Sequence, residues 1–171
     1  MRLRYRLGQL RDNLTAGPLS AAARQEVVAA LAPGELALFD RFSLADQWHS
    51  YRVLCDLRQA GYNDPDLTTA ALIHDVGKTR YPLSAGDRTA IVVGAVLLPG
   101  QVARWGQGAV DSWRRPFVVR AQHPAWGAEM AAAAGSRPTV VELIRRHQDK
   151  PPAEDELAGL LRALQWADDQ N

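Results

Sequence analysis

Apolar residues recur at intervals of three and four along most of this chain, which is the spacing of one face of an α-helix. Towards the C-terminus, one such face contains Val140, Leu143 and Ile144. The face that follows it is made of leucines, at positions Leu157, Leu160, Leu161 and Leu164. The alternation of apolar and polar residues that is typical of strands is poorly represented. The pattern therefore predicts an all-α fold.

Start and stop signals set the predicted helix boundaries in the first half of the chain. Ser43 is a suitable N-cap for a helix that runs to Gly61. Asp64 followed by Pro65 marks a second start, because proline at the first helical position loses no hydrogen bond. This second helix is predicted to end at Gly77.

Three more helices are predicted in the second half. His123-Pro124 should open a helix that ends at Gly135, and Ser136 should cap the next one, which lasts to about Asp149. The pair Pro151-Pro152 separates it from a last helix that ends near Asp168. Residues 81–116 include an apolar run that fits either a buried helix or a strand, and we predict helix there.

Residues 1–42 are predicted to be a helical extension packed on a domain formed by residues 43–171, as one globular unit. The extension begins with a leucine stripe, made of Leu3, Leu7, Leu10 and Leu14. Arginines surround the stripe, at Arg2, Arg4, Arg6 and Arg11. A surface helix that contacts acidic phospholipid or a nucleic-acid backbone has this pattern. We favour an amphipathic helix that packs on the domain and leaves its arginines in solvent.

The composition of the chain excludes some classes of partner but does not indicate a function. The chain has 171 residues, 47% of them hydrophobic, which is enough for one ordinary core. Its 20 basic and 19 acidic side chains give a net charge of +1, so neither nucleic acid nor a membrane is expected as a partner. Cys55 is the only cysteine, and no signal peptide is visible, which predicts a cytoplasmic protein. The oligomeric state is left open.

Ionisable side chains occur at positions where the helical pattern predicts a core. His49 shares a helical stripe with Val53, and His147 falls on the face of Val140, Leu143 and Ile144. Asp168 is the next inward position after Leu164. A carboxylate on a buried face requires a nearby cation, because an unpaired buried charge is costly.

A further pair of ionisable residues, His74-Asp75, follows directly on the apolar run Ala71-Leu72-Ile73. All four histidines of the chain, with His123 as the fourth, thus lie at predicted helix ends or on apolar stripes. Imidazoles and carboxylates without thiolates suit Mn, Fe, Zn or Mg. Two carboxylates can hold a pair of divalent ions, one of them acting as a bridge, so the sequence predicts a dinuclear metal site.

The order of these residues resembles the HD superfamily of metal-dependent phosphohydrolases. IHDVGK is similar to the HDIG-type form of the doublet that names the superfamily, and QHPAWGAEM is similar to its HPxxG element. IRRH and ALQWADD resemble its later histidine and closing aspartate. The resemblance covers about residues 46–169 and implies a single-domain helical bundle with the metal site in its core.

The resemblance also implies how the ligands are shared. One ion would be bound by four residues, His49, His74, Asp75 and Asp168. A second ion would be bound by His123 and His147, with Asp75 as the bridge. Members that hydrolyse cyclic di-GMP carry His-His-Glu and a later Gly-Tyr-Pro, whereas His147 is followed here by Gln148, Asp149, Lys150 and Pro151. The sequence does not support that substrate.

Two residues are predicted to contact substrate. Lys78 matches the position whose ammonium meets the substrate phosphate, although a lysine at a helix C-terminus can also serve the helix dipole. Asp75 and Lys78 are thus the predicted catalytic residues. Trp126 follows His123 by three residues, so on one helical turn it would line the mouth of the site.

The expected function is hydrolysis of a phosphate ester or anhydride, in a nucleotide or another small phosphorylated metabolite, by hydroxide generated at the metal site. A few superfamily members instead use a di-iron pair to activate oxygen, and ligand types do not separate the two reactions. A non-catalytic nucleotide-sensing domain is a third possibility. It would fit a chain that had lost ligands, and none of the six is missing here.

Overall fold

The computed structural model describes residues 17–150 and 156–171. These residues form one compact all-helical domain with nine α-helices and one 3-10 helix, and they contain no strand. The predicted fold class is therefore confirmed. The α-helices are α1 (Ala21–Ala30), α2 (Pro33–Phe39), α3 (Leu44–Gln59), α4 (Pro65–Ile73), α5 (Ala85–Leu97), α6 (Pro99–Trp105), α7 (Arg115–Ala133), α8 (Pro138–Arg146) and α9 (Ala158–Gln170). The 3-10 helix, Val76–Arg80, follows α4.

The predicted starts of α3 and α4 are confirmed. Ser43 caps α3, since its Oγ accepts a hydrogen bond from the backbone N–H of Asp46 at 3.2 Å. Asp64 caps α4, where its Oδ1 accepts from the N–H groups of Asp66 and Leu67. Gly61, just beyond α3, has φ +88, a left-handed conformation that favours glycine.

The boundaries differ from the prediction at the other end of α4. This helix ends at Ile73, not at Gly77, and the chain continues as the 3-10 helix Val76–Arg80. The tighter turn follows from packing, because Gly77 lies directly against the backbone of α7. The change of helix type turns the chain immediately after the His74-Asp75 pair.

Two predictions about α7 and α8 were wrong. His123-Pro124 does not open a helix, because α7 already begins at Arg115 and contains Pro124 in its interior. Ser136 does not cap α8, whose N-cap is Arg137 and which ends at Arg146. Pro138 supplies the start signal instead, at a position where its missing N–H costs nothing. Pro151-Pro152 lies outside the described residues.

Within residues 81–116 the prediction of helix is confirmed for α5 and α6, whereas residues 81–84 and 106–114 are not helical. Little of α5 is buried, however, and Val96 and Leu97 are about 70% exposed. The apolar run that suggested a buried helix therefore lies largely at the surface.

Helix α4 is the centre of the core and packs against α1, α2, α3, α8 and α9. Its buried residues surround the whole helix, from Leu67 through Ala70, Ala71 and Leu72 to Ile73. Because α4 is enclosed on all sides, its C-terminus delivers the next residues, His74 and Asp75, to the interior. The packing of the core thus fixes the position of these two predicted metal ligands.

Helices α1 and α2 lie within the predicted extension and pack on α4. Val27 and Phe39 of these helices are fully buried in the common core. The predicted leucine stripe and arginines of residues 1–16 lie outside the described residues. In the part of the chain that is described, no helix combines the length and apolarity needed to cross a bilayer.

Candidate metal centre

His74 is the C-cap of α4, where the helix leaves backbone carbonyls without helical partners. Its Nδ1 donates to the carbonyl of Ala71 at 3.0 Å, and the side chain is fully buried. His147 occupies the same position at the end of α8, where its Nδ1 donates to the carbonyl of Ile144 at 2.7 Å. In both residues the bond at Nδ1 leaves Nε2 free to bind a metal.

His123 lies in the interior of a helix, and its Nδ1 also faces backbone carbonyls. Pro124 has no N–H, so the carbonyl of Arg120, four residues earlier, loses its usual helical partner. His123 Nδ1 lies 3.0 Å from that carbonyl and 3.0 Å from the carbonyl of Val119. The proline in the sequence QHP thus frees an acceptor that orients the histidine before it.

The six predicted ligands meet as two groups of donor atoms. The first ligand group is His49, His74 and Asp168, and the second ligand group is Asp75, His123 and His147. In the first, Asp168 Oδ1 lies 3.1 Å from His49 Nε2 and 3.5 Å from His74 Nε2. In the second, the Nε2 atoms of His123 and His147 are 3.2 Å apart.

The Asp75 carboxylate lies between the two groups. Its Oδ1 is 3.2 Å from His123 Nε2 and 3.7 Å from His147 Nε2. Its Oδ2 faces the first ligand group, 3.6 Å from His74 Nε2 and 3.8 Å from His49 Nε2. Each oxygen therefore faces a different set of imidazoles, as a bridging carboxylate does.

Opposed charges keep both aspartates ionised. Burial opposes the charged form of Asp75, but the Lys78 ammonium and the His74 imidazole hold the pKa of that carboxyl well below its usual range. Burial also opposes the charged form of Asp168, and the imidazoles of His49 and His74 lower its pKa. Two carboxylates are thus available as anionic ligands at neutral pH.

The two buried histidines with shifted pKa values behave in opposite ways. Burial acts to lower the pKa of His74, but the carboxylates of Asp75 and Asp168 outweigh it and raise the pKa to about 9. For His147, burial and the neighbouring charge of His74 lower the pKa to about 3. His147 is therefore ready to bind a cation, whereas His74 must first lose a proton.

The donor atoms fit divalent metal ions. His74 Nε2 is buried and has no hydrogen-bond partner among the described residues, although two carboxylates lie near it. Within the groups, donor pairs involving Asp168, Asp75 and His123 are 3.1 to 3.7 Å apart. Atoms bound to one ion at about 2.1 Å lie roughly 3.0 to 3.4 Å apart, so modest closure would complete each shell.

Metal binding should release protons at neutral pH. Because the pKa of His74 is raised to about 9, this imidazole is protonated below that pH and must lose its proton to an ion. Metal affinity should therefore rise with pH and level off above about pH 9. Calorimetric titration of Mn²⁺ in buffers with different ionisation enthalpies measures the protons released. Metal binding without proton release at pH 7 would contradict the role of His74.

Two glycines allow the close packing that places Asp75 against His123. A Cβ on Gly77 would lie 2.0 Å from the carbonyl oxygen of His123 and 2.7 Å from the backbone nitrogen of Gly127. A Cβ on Gly127 would lie 3.1 Å from Ile144 Cγ2 and 3.2 Å from the Gly77 nitrogen. The glycines of IHDVGK and QHPAWG thus allow the 3-10 helix to contact α7, which places Asp75 against His123.

Gly77→Ala should damage the centre through packing alone. The added methyl group would meet backbone atoms that have no rotamer to change, so we expect a loss of about 2–3 kcal/mol in unfolding free energy together with weaker metal binding. Gly159→Ala is the matched control, because no atom of the described residues would lie within 4 Å of the added Cβ. Chemical denaturation measures both, and equal stabilities would contradict the close contact.

The predicted substrate residues lie in different surroundings. Lys78 Nζ donates to Asp75 Oδ2 and also lines a cavity beside the second ligand group. Trp126 packs on the ring of Tyr81, with Arg80 over its own ring. It is not among the residues that line this cavity. A substrate contact by Trp126 stays a prediction.

The cavity has a volume of about 650 Å³ and adds residues that sequence reasoning missed. Gln148 is one of them, with its Nε2 3.4 Å from His123 Nε2. Arg41 and Arg120 also line it. Gln148 follows His147 directly and Arg120 precedes His123 by three residues, so proximity to proposed ligands was the available signal for these two.

Comparison with known protein families decides the classification. The family model for the HD domain matches residues 48–169, which is most of the chain and includes all six proposed ligands. The chain belongs to the HD domain family. No curated protein and no solved structure gives a significant match. The superfamily resemblance and the helical-bundle fold are confirmed for this HD domain.

Proposed function

We propose that this HD domain is a metal-dependent phosphohydrolase that acts on a nucleotide or another small phosphate ester or anhydride. The single observation that carries the proposal is the Asp75 carboxylate, whose two oxygens face separate ligand groups next to a cavity that His123 and Lys78 line. Such a carboxylate suits a site with two ions. Membership in a family made mostly of metal-dependent hydrolases supports the same conclusion.

The proposed site residues have different roles according to their position. His49, His74 and Asp168 would hold one ion, and His123 and His147 the other, with Asp75 between them. When bound, two such ions would supply a water of lowered pKa and positive charge for a phosphoryl oxygen. Lys78 lines the cavity next to Asp75, where its ammonium can stabilise negative charge that develops on the substrate.

A metal and substrate panel tests the proposed reaction. Protein freed of metal should release phosphate from nucleotides or phosphate esters after addition of Mn²⁺ or Mg²⁺, and chelator should abolish the activity. The Asp75→Asn variant, prepared in parallel, controls for contaminating phosphatases. Oxygen uptake with iron, an electron paramagnetic resonance signal and no phosphate release would instead indicate a di-iron oxygenase. Metal binding without turnover of any compound would favour a sensor domain.

Lys78→Ala should retain metal but lose rate or substrate affinity. Asp75 would still be ionised at neutral pH without Lys78, because His74 also lowers its pKa. We expect kcat/KM to fall about 10- to 100-fold through lost charge stabilisation. Elemental analysis and steady-state kinetics check the two halves of this prediction. If metal content falls as far as activity does, Lys78 serves to hold Asp75 instead.

A further inference from the structure

The cavity beside the metal centre carries far more positive charge than the chain as a whole. In the described parts of the chain, four cationic side chains line it, from Arg41, Lys78, Arg88 and Arg120, against the single carboxylate of Asp46. The net charge of the entire chain is only +1. A cavity lined in this way favours an anionic ligand.

Two of the four cations already have partners. Lys78 pairs with Asp75, and Arg88 makes two hydrogen bonds of 3.2 Å with the Asp46 carboxylate. The Asp46 charge is thus already compensated within the cavity. The guanidinium groups of Arg41 and Arg120 make no ion pair or side-chain hydrogen bond with the described residues. They are the cations left for a ligand.

These two arginines flank the catalytic groups without belonging to them. Arg120 lies one helical turn before His123 on α7, and Arg41 lies between α2 and α3, the helix that carries His49. His123 and Lys78 line the same cavity, so a ligand held there would be next to the metal centre. Planar guanidinium groups bind phosphate through paired hydrogen bonds.

We propose that Arg41 and Arg120 bind a second phosphate of the substrate, so that the preferred substrates carry two or more phosphate groups. This inference rests on the proposed phosphohydrolase function and makes its substrate class narrower. The scissile phosphate lies at the metal centre beside Lys78, and the additional phosphate lies against the two arginines.

The same cavity has room for an organic group. Its volume of about 650 Å³ is within the range of small-molecule sites, and larger than phosphates alone require. Leu83, Ile91 and Val92 contribute apolar surface to its lining. The substrate class is therefore an organic diphosphate or polyphosphate, such as a nucleoside diphosphate, and not inorganic phosphate.

Binding of two inorganic probes tests the role of the arginines independently of turnover. Calorimetry would compare orthophosphate with imidodiphosphate, a non-hydrolysable diphosphate, on the full-length protein. Mg²⁺ is kept in excess over protein and probe, so that neither probe removes metal from the site. We expect imidodiphosphate to bind at least about tenfold more tightly than orthophosphate. The double variant Arg41→Gln/Arg120→Gln should lose that difference.

A second double variant controls for the loss of two charges. Arg104 and Arg162 are exposed and do not line the cavity, so Arg104→Gln/Arg162→Gln should keep the preference for imidodiphosphate. Circular dichroism should show all proteins equally folded, because the four side chains are exposed. Equal affinity for the two probes in the parent protein, or the same loss in both double variants, would overturn the proposal.

Kinetics separates this inference from the function on which it rests. For the double variant Arg41→Gln/Arg120→Gln, kcat/KM should fall about tenfold or more with a nucleoside diphosphate. It should fall less than about twofold with a phenyl monophosphate. If its kcat/KM falls equally for both compounds, the arginines do not bind a second phosphate. If the parent protein hydrolyses neither compound but still prefers imidodiphosphate, the proposed function fails while the diphosphate site stands.

Discussion

Asp75→Asn should abolish hydrolysis, with a loss of about a thousandfold or more, and should leave a folded helical protein. The amide has the shape of the carboxylate but not its charge, and the two Asp75 oxygens face different sets of imidazoles. Elemental analysis should show a large loss of bound metal. Circular dichroism and phosphate release at saturating Mn²⁺ complete the measurement.

Asp169→Asn is the matched control for this variant. Asp169 is an exposed carboxylate next to the proposed ligand Asp168, but it belongs to neither ligand group. Its replacement should leave metal content and activity nearly unchanged. Near-normal turnover by Asp75→Asn with saturating metal would contradict the bridging role of Asp75.

His147→Ala should lower the bound metal from two equivalents toward one. His147 belongs to the second ligand group, whereas His49, His74 and Asp168 form the first ligand group and stay in place. Activity should fall about a hundredfold or more, because one ion is less able both to activate water and to bind the phosphoryl oxygen. Elemental analysis and phosphate release on the same preparation measure the two effects together.

Rescue with imidazole distinguishes lost coordination from damaged packing. The alanine leaves a buried space where the ring was, so added imidazole should restore part of the second equivalent if coordination was lost. Thermal unfolding of the variant reports separately on packing. A variant that binds two equivalents with unchanged affinity would show that His147 is an ordinary core histidine.

Helical periodicity predicted which side chains turn inward, but not the distances among them. His147 falls on the buried face of Val140, Leu143 and Ile144, as its spacing indicated. Asp168 is only half-buried, and its contacts with His49 and His74 join residues from three helices. Such contacts depend on how the helices pack around α4, which local sequence patterns do not specify.

The wrong start of α7 shows how tertiary structure can override a local signal. Proline favours the first turn of a helix, so the sequence His123-Pro124 predicts a helix start. Within α7, Pro124 is buried, and His123 Nδ1 lies within hydrogen-bond distance of the carbonyl that the proline leaves free. That compensation involves a side chain next to the proline, and no propensity rule includes it.

Arg41 of the cavity had no signal in the sequence, and Arg120 had only its proximity to His123. Arg41 follows α2, Arg120 lies in α7, and neither belongs to a motif; the packing of α2 on α7 brings them to one cavity. The sequence motifs contain the proposed ligands, because metal coordination restricts the residue types that can serve. Substrate contacts outside the metal centre depend on the shape of the folded domain.

The most direct test of the dinuclear centre is anomalous X-ray diffraction, measured at the manganese edge on crystals grown with Mn²⁺. We predict two anomalous peaks about 3.5 to 4 Å apart, with one Asp75 oxygen directed at each. The first peak should be bound by His49, His74 and Asp168, and the second by His123 and His147. A single peak, or peaks away from Asp75, would contradict the account.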